Sequence, residues 1–371
     1  KIRMGKIYTA LGLMSGTSMD GVDASIIQTD GKSKYKAILD RYFEYPSSIY
    51  QNLTKLRDKI KRSKDLKKHQ KQIKAVEKEI TIFHAKAVNE ILKKTKTNVD
   101  FIGFHGQTIF HNAEQKITKQ LGDGNLLSKL IKKKVVYDFR QNDLKNGGEG
   151  APLTPIFHQM LQKKFNIKQV SFFNLGGILN RTTIWDDGLL TAKDIGPGMC
   201  LIDKWIRTKS KKKYDKNGYM AKSGKVNKKV LDKYWSIFQA SDPERRSYDV
   251  SDFNISFVKG MSLKDGTATL TLYTANFFIS HFKTNAMFKD LSKEKTILCG
   301  GGRKNKFLVN IIKSWNKDVK LIDEYRIDGD FIESQAFAYL AIRSYLKLPI
   351  SFPETTGCIK PCTGGVLVKN F

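Results

Sequence analysis

Hydroxyl-bearing and acidic residues interrupt an apolar segment near the start of the chain. The stretch LMSGTSMDGVDASII, residues 13–27, breaks at SGTS, places Asp20 and Asp23 just beyond, and then resumes its apolar run. An ordinary hairpin needs only about two turn residues. A longer turn of glycine and hydroxyl residues lets backbone N–H groups and hydroxyls reach an anionic ligand. This stretch therefore predicts an anion-binding turn.

Two more glycine turns follow apolar strands later in the chain. They are Gly176-Gly177 in NLGGILN and Gly300 to Gly302 in CGGGRKN. Each turn alone is as consistent with a tight structural turn as with a phosphate site, whereas three such turns together favour phosphate binding. The chain has no GxxxxGK[ST] string, and no GxGxxG follows its first strand, so it is not a P-loop protein.

One aspartate is placed as a candidate general base. The string AKDIGPGMCLID puts Asp194 at the predicted end of a strand, before Gly196-Pro197-Gly198. A carboxylate held on a rigid element is what a general base for phosphoryl transfer or water activation requires. The alternative is an aspartate that caps the next helix.

Other polar residues are suited to hold a sugar-like substrate. The string FHGQTIFH presents His105, Gln107 and Thr108 just past a predicted strand, without the spacing of a metal site. Arg140 in DFRQND is a candidate for binding a substrate carboxylate through two hydrogen bonds, or else pairs with Asp143 on the surface.

A last candidate lies near the C-terminus. Glu333 in GDFIESQAFAYLAIR sits where a helix is predicted to begin. There it either interacts favourably with the helix N-terminus or reaches the ligand.

Strands and helices alternate in the way that positions such residues in an α/β fold. KIYTALGLMS, DASIIQTD and YKAILDRYFEYP predict three successive strands. Apolar residues recur every three or four positions from Ile73 to Ile91 and predict a core-facing helix, beside which His84 is expected to be structural. VDFIGFHGQTIFH and KVVYDFR predict two more strands, and Pro152 is expected near the start of the next helix.

The pattern then repeats in outline. VSFFNLGGILNRTTIW and GLLTAKDIGPG resemble the opening strand–turn–strand unit, which predicts two similar lobes around a cleft. We place the N-terminal lobe at residues 1–132 and the C-terminal lobe at 133–371, with the extreme C-terminus able to pack back on the N-terminal lobe.

Composition limits the function classes. The chain has 371 residues, 40% of them hydrophobic, and a net charge of +30. Its lysines are spread along the whole sequence without interleaved aromatics, which argues against a dedicated nucleic-acid surface. No apolar run reaches the roughly 20 residues of a membrane span. The basic-then-apolar start offers no cleavage site, so we do not expect a signal peptide.

The cysteines are few and scattered. Cys358 and Cys362 lie four apart without a second pair or nearby histidines, so a zinc site is weakly supported. Reduced thiols in the cytoplasm are the better interpretation.

Taken together, these strings resemble those of the anhydro-N-acetylmuramic acid kinase family, within the actin/hexokinase/Hsp70-like ATPase superfamily. The resemblance runs in family order from residue 11 to the C-terminus and is most specific in GTSMDGVD and HGQT. The strings that carry it are GLMSGTSMDGVDA, GFHGQTIFH, QLGDGN, DFRQNDLKNGGEGAPLTP, FNLGGILN, DIGPGMCLID, YDKNGYMAKSG, DGTATLTLYTA, CGGGRKN and GDFIESQAFAYLAIR.

The resemblance implies a two-lobed actin-like ATPase (ribonuclease H-like) fold with a central interdomain cleft. It also implies an ATP- and Mg²⁺-dependent enzyme that opens the 1,6-anhydro bond of anhydro-N-acetylmuramic acid and phosphorylates O6 in peptidoglycan recycling. A cytoplasmic homodimer is the corresponding expectation.

The resemblance also implies roles for single residues. Asp194 matches the base that activates water, and Asp20 meets the magnesium through water. The sugar and its lactyl carboxylate are matched by His105, Gln107, Thr108, Arg140 and Glu333. The ATP is matched by Gly16, Thr17, Ser18, Met19, Asp20, Gly21, Val22, Asp23, Gly176, Gly177, Gly300, Gly301 and Gly302.

One stretch departs from the family pattern. A Pro-Lys-Ser-Thr-Gly-Arg-Glu-like string is replaced here by PERRSYDVSDF, which keeps Pro243, Ser247 and Phe253 but loses the glycine. Any substrate contact made there is therefore in doubt. Another small-molecule or sugar kinase of the same superfamily remains an alternative. So does a nucleotide-gated clamp, which would need a partner-binding domain or polymer contacts.

Overall fold

The structure, a computed structural model, describes residues 6–241, 247–287 and 293–371. The strands are β1 (Tyr8–Ser15), β2 (Gly21–Thr29), β3 (Tyr35–Glu44), β4 (Phe101–Asn112), β5 (Ile117–Leu121), β6 (Lys134–Tyr137), β7 (Val170–Leu175), β8 (Ile178–Ile184), β9 (Leu190–Pro197), β10 (Lys295–Cys299), β11 (Lys320–Leu321) and β12 (Val366–Val368). The helices are α1 (Ser47–Lys59), α2 (Ser63–Lys68), α3 (Gln70–Leu92), α4 (Gly124–Ile131), α5 (Gln141–Lys145), α6 (Pro155–Lys164), α7 (Cys200–Lys209), α8 (Tyr219–Lys222), α9 (Lys228–Gln239), α10 (Leu263–Met287), α11 (Lys306–Trp315), α12 (Ile332–Tyr345) and α13 (Pro353–Thr356).

The chain folds into two compact units. Unit 1 comprises Lys1–Asn166 and Phe331–Phe371, and unit 2 comprises Ile167–Asp330. These bounds differ from the division at residue 132/133 that the sequence suggested. The reason is that β6 begins at Lys134 and pairs with β4, so the chain continues the first sheet past that point.

Unit 1 is built on one mixed sheet with the order β12-β6-β4-β1-β2-β3, and β5 pairs with β4. β1, β2 and β3 are the three successive strands that the sequence predicted, and they are antiparallel neighbours, whereas β4 runs parallel to β1, and β6 runs parallel to β4. The predicted helix between Ile73 and Ile91 is confirmed as α3, which buries its stripe in the core of this unit. The carboxyl ends of β1, β4 and β6 therefore share one edge of the sheet.

Helix α12 belongs to unit 1 and packs on β1, β2 and β4. Two glycines permit this close approach. A Cβ on Gly12 would lie 1.9 Å from the backbone oxygen of Ser334, and a Cβ on Gly103 would lie 2.3 Å from that of Phe337. Because α12 is held against the sheet at these points, the position of Glu333 in its first turn is determined by the sheet.

Unit 2 repeats the arrangement of unit 1. Its sheet has the order β11-β10-β7-β8-β9. β7, β8 and β9 are antiparallel neighbours, and β10 runs parallel to β7. The sequence repeat thus corresponds to a repeated topology, in which the first three strands form a meander and the later strands lie parallel to the first. α10 supplies much of the core through Phe277, Phe278 and Phe282.

One local prediction was wrong. β4 runs to Asn112, so FHGQTIFH lies within the strand instead of just past it, because β5 pairs with its second half. The helix after the loop NGGEGAPLTP begins at Pro155, three residues beyond Pro152. Within the described ranges, no helix is both long and apolar enough to cross a membrane.

Candidate functional site

The first glycine turn connects β1 to β2 at the carboxyl edge of the unit 1 sheet. Thr17 and Ser18 are exposed at its tip. Met19 adopts a left-handed conformation (φ 58°) and its N–H donates to the oxygen of Gly16 at 3.2 Å, which closes the turn. The backbone N–H groups of Thr17 and Ser18 donate to no other described residue. Exposed N–H groups in such a turn are suited to bind phosphate oxygens.

The acidic residues of this turn are held apart from the core. Ser18 Oγ donates to Asp20 Oδ1 at 2.7 Å, and Asp20 itself is exposed. Asp23 lies in β2 opposite Met14. By contrast, the side chains of Met19 and Val22 are buried in the core, so only their backbone is available to a ligand.

Gln107 ties this turn to β4. Its Nε2 donates to the oxygen of Gly16 at 2.9 Å, and its side chain is fully buried. Thr108 Oγ1 accepts a hydrogen bond from Gln120 Nε2 at 3.1 Å. His105, Gln107 and Thr108 therefore lie within β4 and not past its end, because the strand continues through its pairing with β5. Gln107 acts from inside the sheet as a support of the turn.

His105 and Arg140 form one hydrogen-bonded pair. His105 Nδ1 lies 2.8 Å from the oxygen of Gly106, which can only accept, so Nδ1 carries the proton. The unprotonated Nε2 accepts from Arg140 Nε at 3.2 Å and Nη2 at 2.9 Å. Arg140 Nη1 also donates to the oxygen of Gly150 at 2.7 Å. The guanidinium is thus oriented by an imidazole and a backbone carbonyl.

The electrostatics of this pair keep the histidine neutral. Burial, and then the adjacent Arg140 charge, hold the pKa of His105 well below its usual range. Asp143, the alternative partner of Arg140, accepts instead from the N–H of Gly150 at 2.7 Å and from Thr356 Oγ1 at 2.6 Å. It therefore braces the loop whose carbonyl holds Arg140.

Glu333 lies in the first turn of α12, as the sequence predicted. Burial raises its pKa, and the Arg140 charge opposes that shift. The charge of Arg140 therefore acts on the side chains of both His105 and Glu333.

In unit 2, two glycine turns lie at the carboxyl ends of the parallel strands β7 and β10. Gly176 and Gly177 join β7 to β8, and their oxygens accept from the N–H groups of Met199 at 2.8 Å and Gly198 at 3.0 Å. A Cβ on Gly302 would lie 2.4 Å from Leu175 Cγ, so the second turn packs directly on the end of β7.

Gly301 differs from its neighbours. A Cβ there would meet nothing within 4 Å, so this residue faces open space. The fold thus brings two of the three predicted turns together within unit 2, and leaves one glycine facing outward.

Arg303 was missed by the sequence interpretation, although it follows the glycines directly. Its guanidinium is buried, donates to the oxygen of Gly300 at 3.0 Å, and pairs with Asp323 at 2.6 Å and Asp330 at 2.7 Å. These partners raise its pKa further. Arg303 therefore anchors the glycine turn. The only signal in the sequence was the adjacency of GGG and an arginine.

Asp194 lies inside β9, opposite Asn180, rather than at the end of the strand. The strand continues to Pro197 because a bulge between Leu179 and Asn180 restores its pairing with β8. Asp194 is half-buried and six residues ahead of α7, so it is not the cap of that helix.

The divergent stretch contacts this aspartate. The N–H of Tyr248 donates to Asp194 Oδ2 at 2.8 Å. Because the donor is backbone, the contact does not depend on which side chains PERRSYDVSDF carries. Of the three residues kept there, Ser247 and Phe253 are described and Pro243 lies outside the described residues.

The side chains that could coordinate a metal ion are not clustered in the described part of the chain. Among residues 6–241, 247–287 and 293–371, no three or more His, Cys, Asp or Glu side chains are grouped to hold an ion. All four cysteines are free and buried. Mg²⁺ typically takes one or two carboxylates together with substrate phosphates and water. The exposed Asp20 beside the predicted anion-binding turn fits that mode.

The topology of the two sheets and the residues at their carboxyl edges define a class of protein. Each unit has a sheet of three antiparallel strands followed by strands parallel to the first, with ligand-binding candidates at the carboxyl edge, which is the actin-like (ribonuclease H-like) ATPase fold. A family model described as anhydro-N-acetylmuramic acid kinase matches residues 8–370. The chain therefore belongs to the anhydro-N-acetylmuramic acid kinase family.

Individual relatives agree with this family. The anhydro-N-acetylmuramic acid kinase of Pelagibacter ubique (strain HTCC1062) is 52% identical over 375 residues, covering 99% of this chain and 100% of the relative. That of Agrobacterium fabrum (strain C58) is 38% identical over 377 residues, with 99% and 100% covered.

A solved structure shows a weaker likeness. The activator of the 2-hydroxyisocaproyl-CoA dehydratase from Clostridium difficile with bound ADPNP aligns with a TM-score of 0.39 and 9% identity, covering 91% of this chain and 96% of that one. The fold is defined by the chain's own sheets.

Proposed function

We propose that this chain is an ATP-dependent kinase that hydrolytically opens the 1,6-anhydro ring of anhydro-N-acetylmuramic acid and phosphorylates O6, giving N-acetylmuramic acid 6-phosphate for peptidoglycan recycling. The observation that carries the proposal is the position of the family strings. In each unit they converge on the carboxyl edge of the sheet, the edge where ligands of open α/β sheets bind.

The reaction needs one base and one phosphoryl donor. Asp194 takes a proton from water as the water oxygen attacks the anomeric carbon. The bond between that carbon and O6 breaks, and its electron pair stays on O6. O6 then attacks the γ-phosphorus of ATP, and ADP leaves. The Tyr248 N–H bond to one oxygen of Asp194 supports this role because it orients the carboxylate.

The ATP phosphates are assigned to the two glycine-rich regions. In unit 1 the exposed N–H groups of Thr17 and Ser18 supply donors, and Gly16 leaves the approach open, since a Cβ there would meet only Ser18 Oγ, at 3.9 Å. In unit 2 the open face of Gly301 leaves room for ligand, with Gly176, Gly177, Gly300 and Gly302 shaping its surroundings. We assign Mg²⁺ to Asp20 through water. When bound, it neutralises phosphate charge.

The sugar is assigned to unit 1. Arg140 pairs with the lactyl carboxylate, oriented by His105, and Glu333 and Thr108 contribute hydrogen-bonding groups nearby. Gln107 supports the turn from below. This separation of roles follows the contacts described above: an arginine with a supported guanidinium is the usual partner of a carboxylate.

The test is a defined turnover assay. The protein is incubated with ATP, Mg²⁺ and anhydro-N-acetylmuramic acid, with N-acetylglucosamine as the control sugar. We expect one reducing end and one 6-phosphate per ADP, from the anhydro sugar only. ADP release that ignores both sugars would indicate a nucleotide-gated clamp, and phosphorylation of the control sugar would indicate a different sugar kinase.

Location and assembly are part of the proposal. Four buried, free cysteines are consistent with a reducing cytoplasm. We propose a homodimer on the family resemblance, which light scattering coupled to size exclusion tests directly.

A further inference from the structure

A polar pocket opens at the carboxyl edge of the unit 1 sheet, next to the His105–Arg140 pair. Its volume is about 260 Å³, and its walls include His105, Lys119, Gln120, Tyr137, Asp138 and Gln141. Sites for drug-sized ligands span roughly 300–1,000 Å³. The pocket is therefore of a size for a single sugar ring.

Asp138 is the unusual residue of this pocket. It follows the last residue of β6, adopts a left-handed conformation (φ 57°), and its half-buried carboxylate forms no hydrogen bond with any described residue. Burial raises its pKa, which Lys119 and Lys145 partly oppose. Partial burial removes water from this carboxylate, and no hydrogen-bond donor among the described residues replaces that water. A ligand that donates hydrogen bonds would replace it.

The lysine in the pocket is already engaged. Lys119 Nζ lies 2.7 Å from Glu77 Oε1, and the same oxygen accepts from the N–H of Gly122 at 3.0 Å. Gln141 Nε2 donates to the oxygen of Thr118 at 3.1 Å, which leaves Gln141 Oε1 as an acceptor at the wall. The pocket therefore offers acceptors in excess of donors, which suits hydroxyl and amide N–H groups and disfavours an anion.

Tyr137 adds one adaptable group. Its ring lies against the first residue of α4, where a Cβ on Gly124 would come within 2.4 Å of the ring. Burial raises the pKa of its phenol, so the hydroxyl stays protonated and both donates and accepts. The close packing on Gly124 holds the ring in place beside Asp138.

We propose that this pocket binds the uncharged, hydroxyl- and N–H-bearing part of the sugar, with the Asp138 carboxylate accepting from two of its donors and the Tyr137 hydroxyl completing the contact. The inference rests on the proposed function, because the sugar is the one phosphorylated. It also orients that sugar: the acceptor-rich pocket excludes the lactyl carboxylate, which is left to Arg140, a residue that contacts His105 but does not line the pocket.

The experiment measures equilibrium binding of two sugars in the absence of ATP. One is anhydro-N-acetylmuramic acid, and the other is the neutral analogue that lacks the lactyl ether. The variants are Asp138→Asn, Tyr137→Phe and Arg140→Met, with the exposed Asp58→Asn on α1 as the control for loss of one negative charge. Asparagine tolerates the left-handed conformation as well as aspartate does, so the fold of Asp138→Asn is preserved. Thermal melts check this.

We expect Asp138→Asn to weaken both sugars about tenfold or more, the scale for a hydrogen bond to a charged group. Tyr137→Phe weakens both to a smaller extent, Arg140→Met weakens only the carboxylate-bearing sugar, and Asp58→Asn changes neither. If the wild type phosphorylates the anhydro sugar while Asp138→Asn binds both sugars normally, the pocket assignment is overturned and the proposed function stands. If the wild type neither binds nor phosphorylates the sugar, both are overturned.

Discussion

The orientation of Arg140 by His105 leads to a measurable prediction. His105 Nε2 accepts two guanidinium N–H groups, at 3.2 and 2.9 Å, and replacement by leucine removes this acceptor while supplying an apolar side chain of similar size. Hydrogen bonds to charged groups contribute about 1.5–3 kcal/mol. Arg140 is half-exposed, so water compensates in part, and we take the lower end of that range. We therefore expect His105→Leu to weaken recognition of the carboxylate about tenfold.

The matched variant is His105→Gln, whose amide oxygen supplies an acceptor close to the position of Nε2. The assay couples ADP release to NADH oxidation at saturating ATP and yields kcat and KM for anhydro-N-acetylmuramic acid and for its neutral analogue. For His105→Leu the KM of the acidic sugar rises while kcat changes little, because uniform binding is lost. His105→Gln stays within about threefold of the wild type for both sugars.

Two results would refute this reasoning. Equal losses for leucine and glutamine would show that His105 acts only through packing. Equal losses for the two sugars would show that His105 acts through the pocket for the uncharged part of the sugar, which it lines, and not through recognition of the lactyl carboxylate by Arg140. Melting temperatures of both variants exclude a general loss of folding as the cause.

Three more predictions follow from single positions. Asp194→Asn should retain nucleotide binding, measured with a fluorescent analogue, and lose at least about 100-fold in kcat, the scale of general-base catalysis; near-normal turnover would contradict the assignment. Gly301→Ala should melt at the same temperature as the wild type and raise the KM for ATP. Gly302→Ala should melt at a lower temperature, because its Cβ would lie 2.4 Å from Leu175 Cγ. An unchanged KM for ATP in Gly301→Ala would show that Gly301 does not contact ATP. Burial lowers the pKa of His84 to about 4, so the unfolded chain takes up this proton near pH 6.5 and the folded chain does not. The contribution of His84 to the free energy of unfolding is complete above pH 6.5 and falls by about 1.4 kcal/mol per pH unit between pH 6.5 and the folded pKa. Urea unfolding at pH 7 and 4.5 measures this change, and equal midpoints at the two pH values would count against it.

Local pattern carried much of the fold. Short apolar runs separated by turn residues predicted β1, β2 and β3, and the three- and four-residue spacing predicted α3, because that spacing places the apolar residues on one face of a helix. His84 was expected to be structural, and its Nδ1 donates to the oxygen of Ile80 at 2.7 Å within the same helix. The similarity of two strand–turn–strand units predicted the repeated topology of the sheets.

The sequence predicted less accurately the ends of strands that depend on pairing with another strand. The sequence put His105, Gln107 and Thr108 just past the end of β4, and Asp194 at the end of its strand. Both strands run further, because β5 pairs with the second half of β4 and because a bulge in β9 lets its last residues stay paired with β8. The boundary between the units also depends on strand pairing, because β6 joins the sheet of unit 1 by pairing with β4.

The sequence by itself determined which chemical groups this protein carries and their order along the chain: three glycine turns, a candidate base, and a histidine and an arginine in family strings. Only the tertiary structure decided what each group faces. His105 and Arg140 are 35 residues apart and meet because β4 and β6 are parallel neighbours. Arg303 meets Asp323 and Asp330 for a similar reason, and the Asp138 carboxylate forms no hydrogen bond with the described residues. Periodicity encodes which face of an element is buried, whereas the identity of a side chain's partner depends on packing between distant segments, which no local pattern specifies.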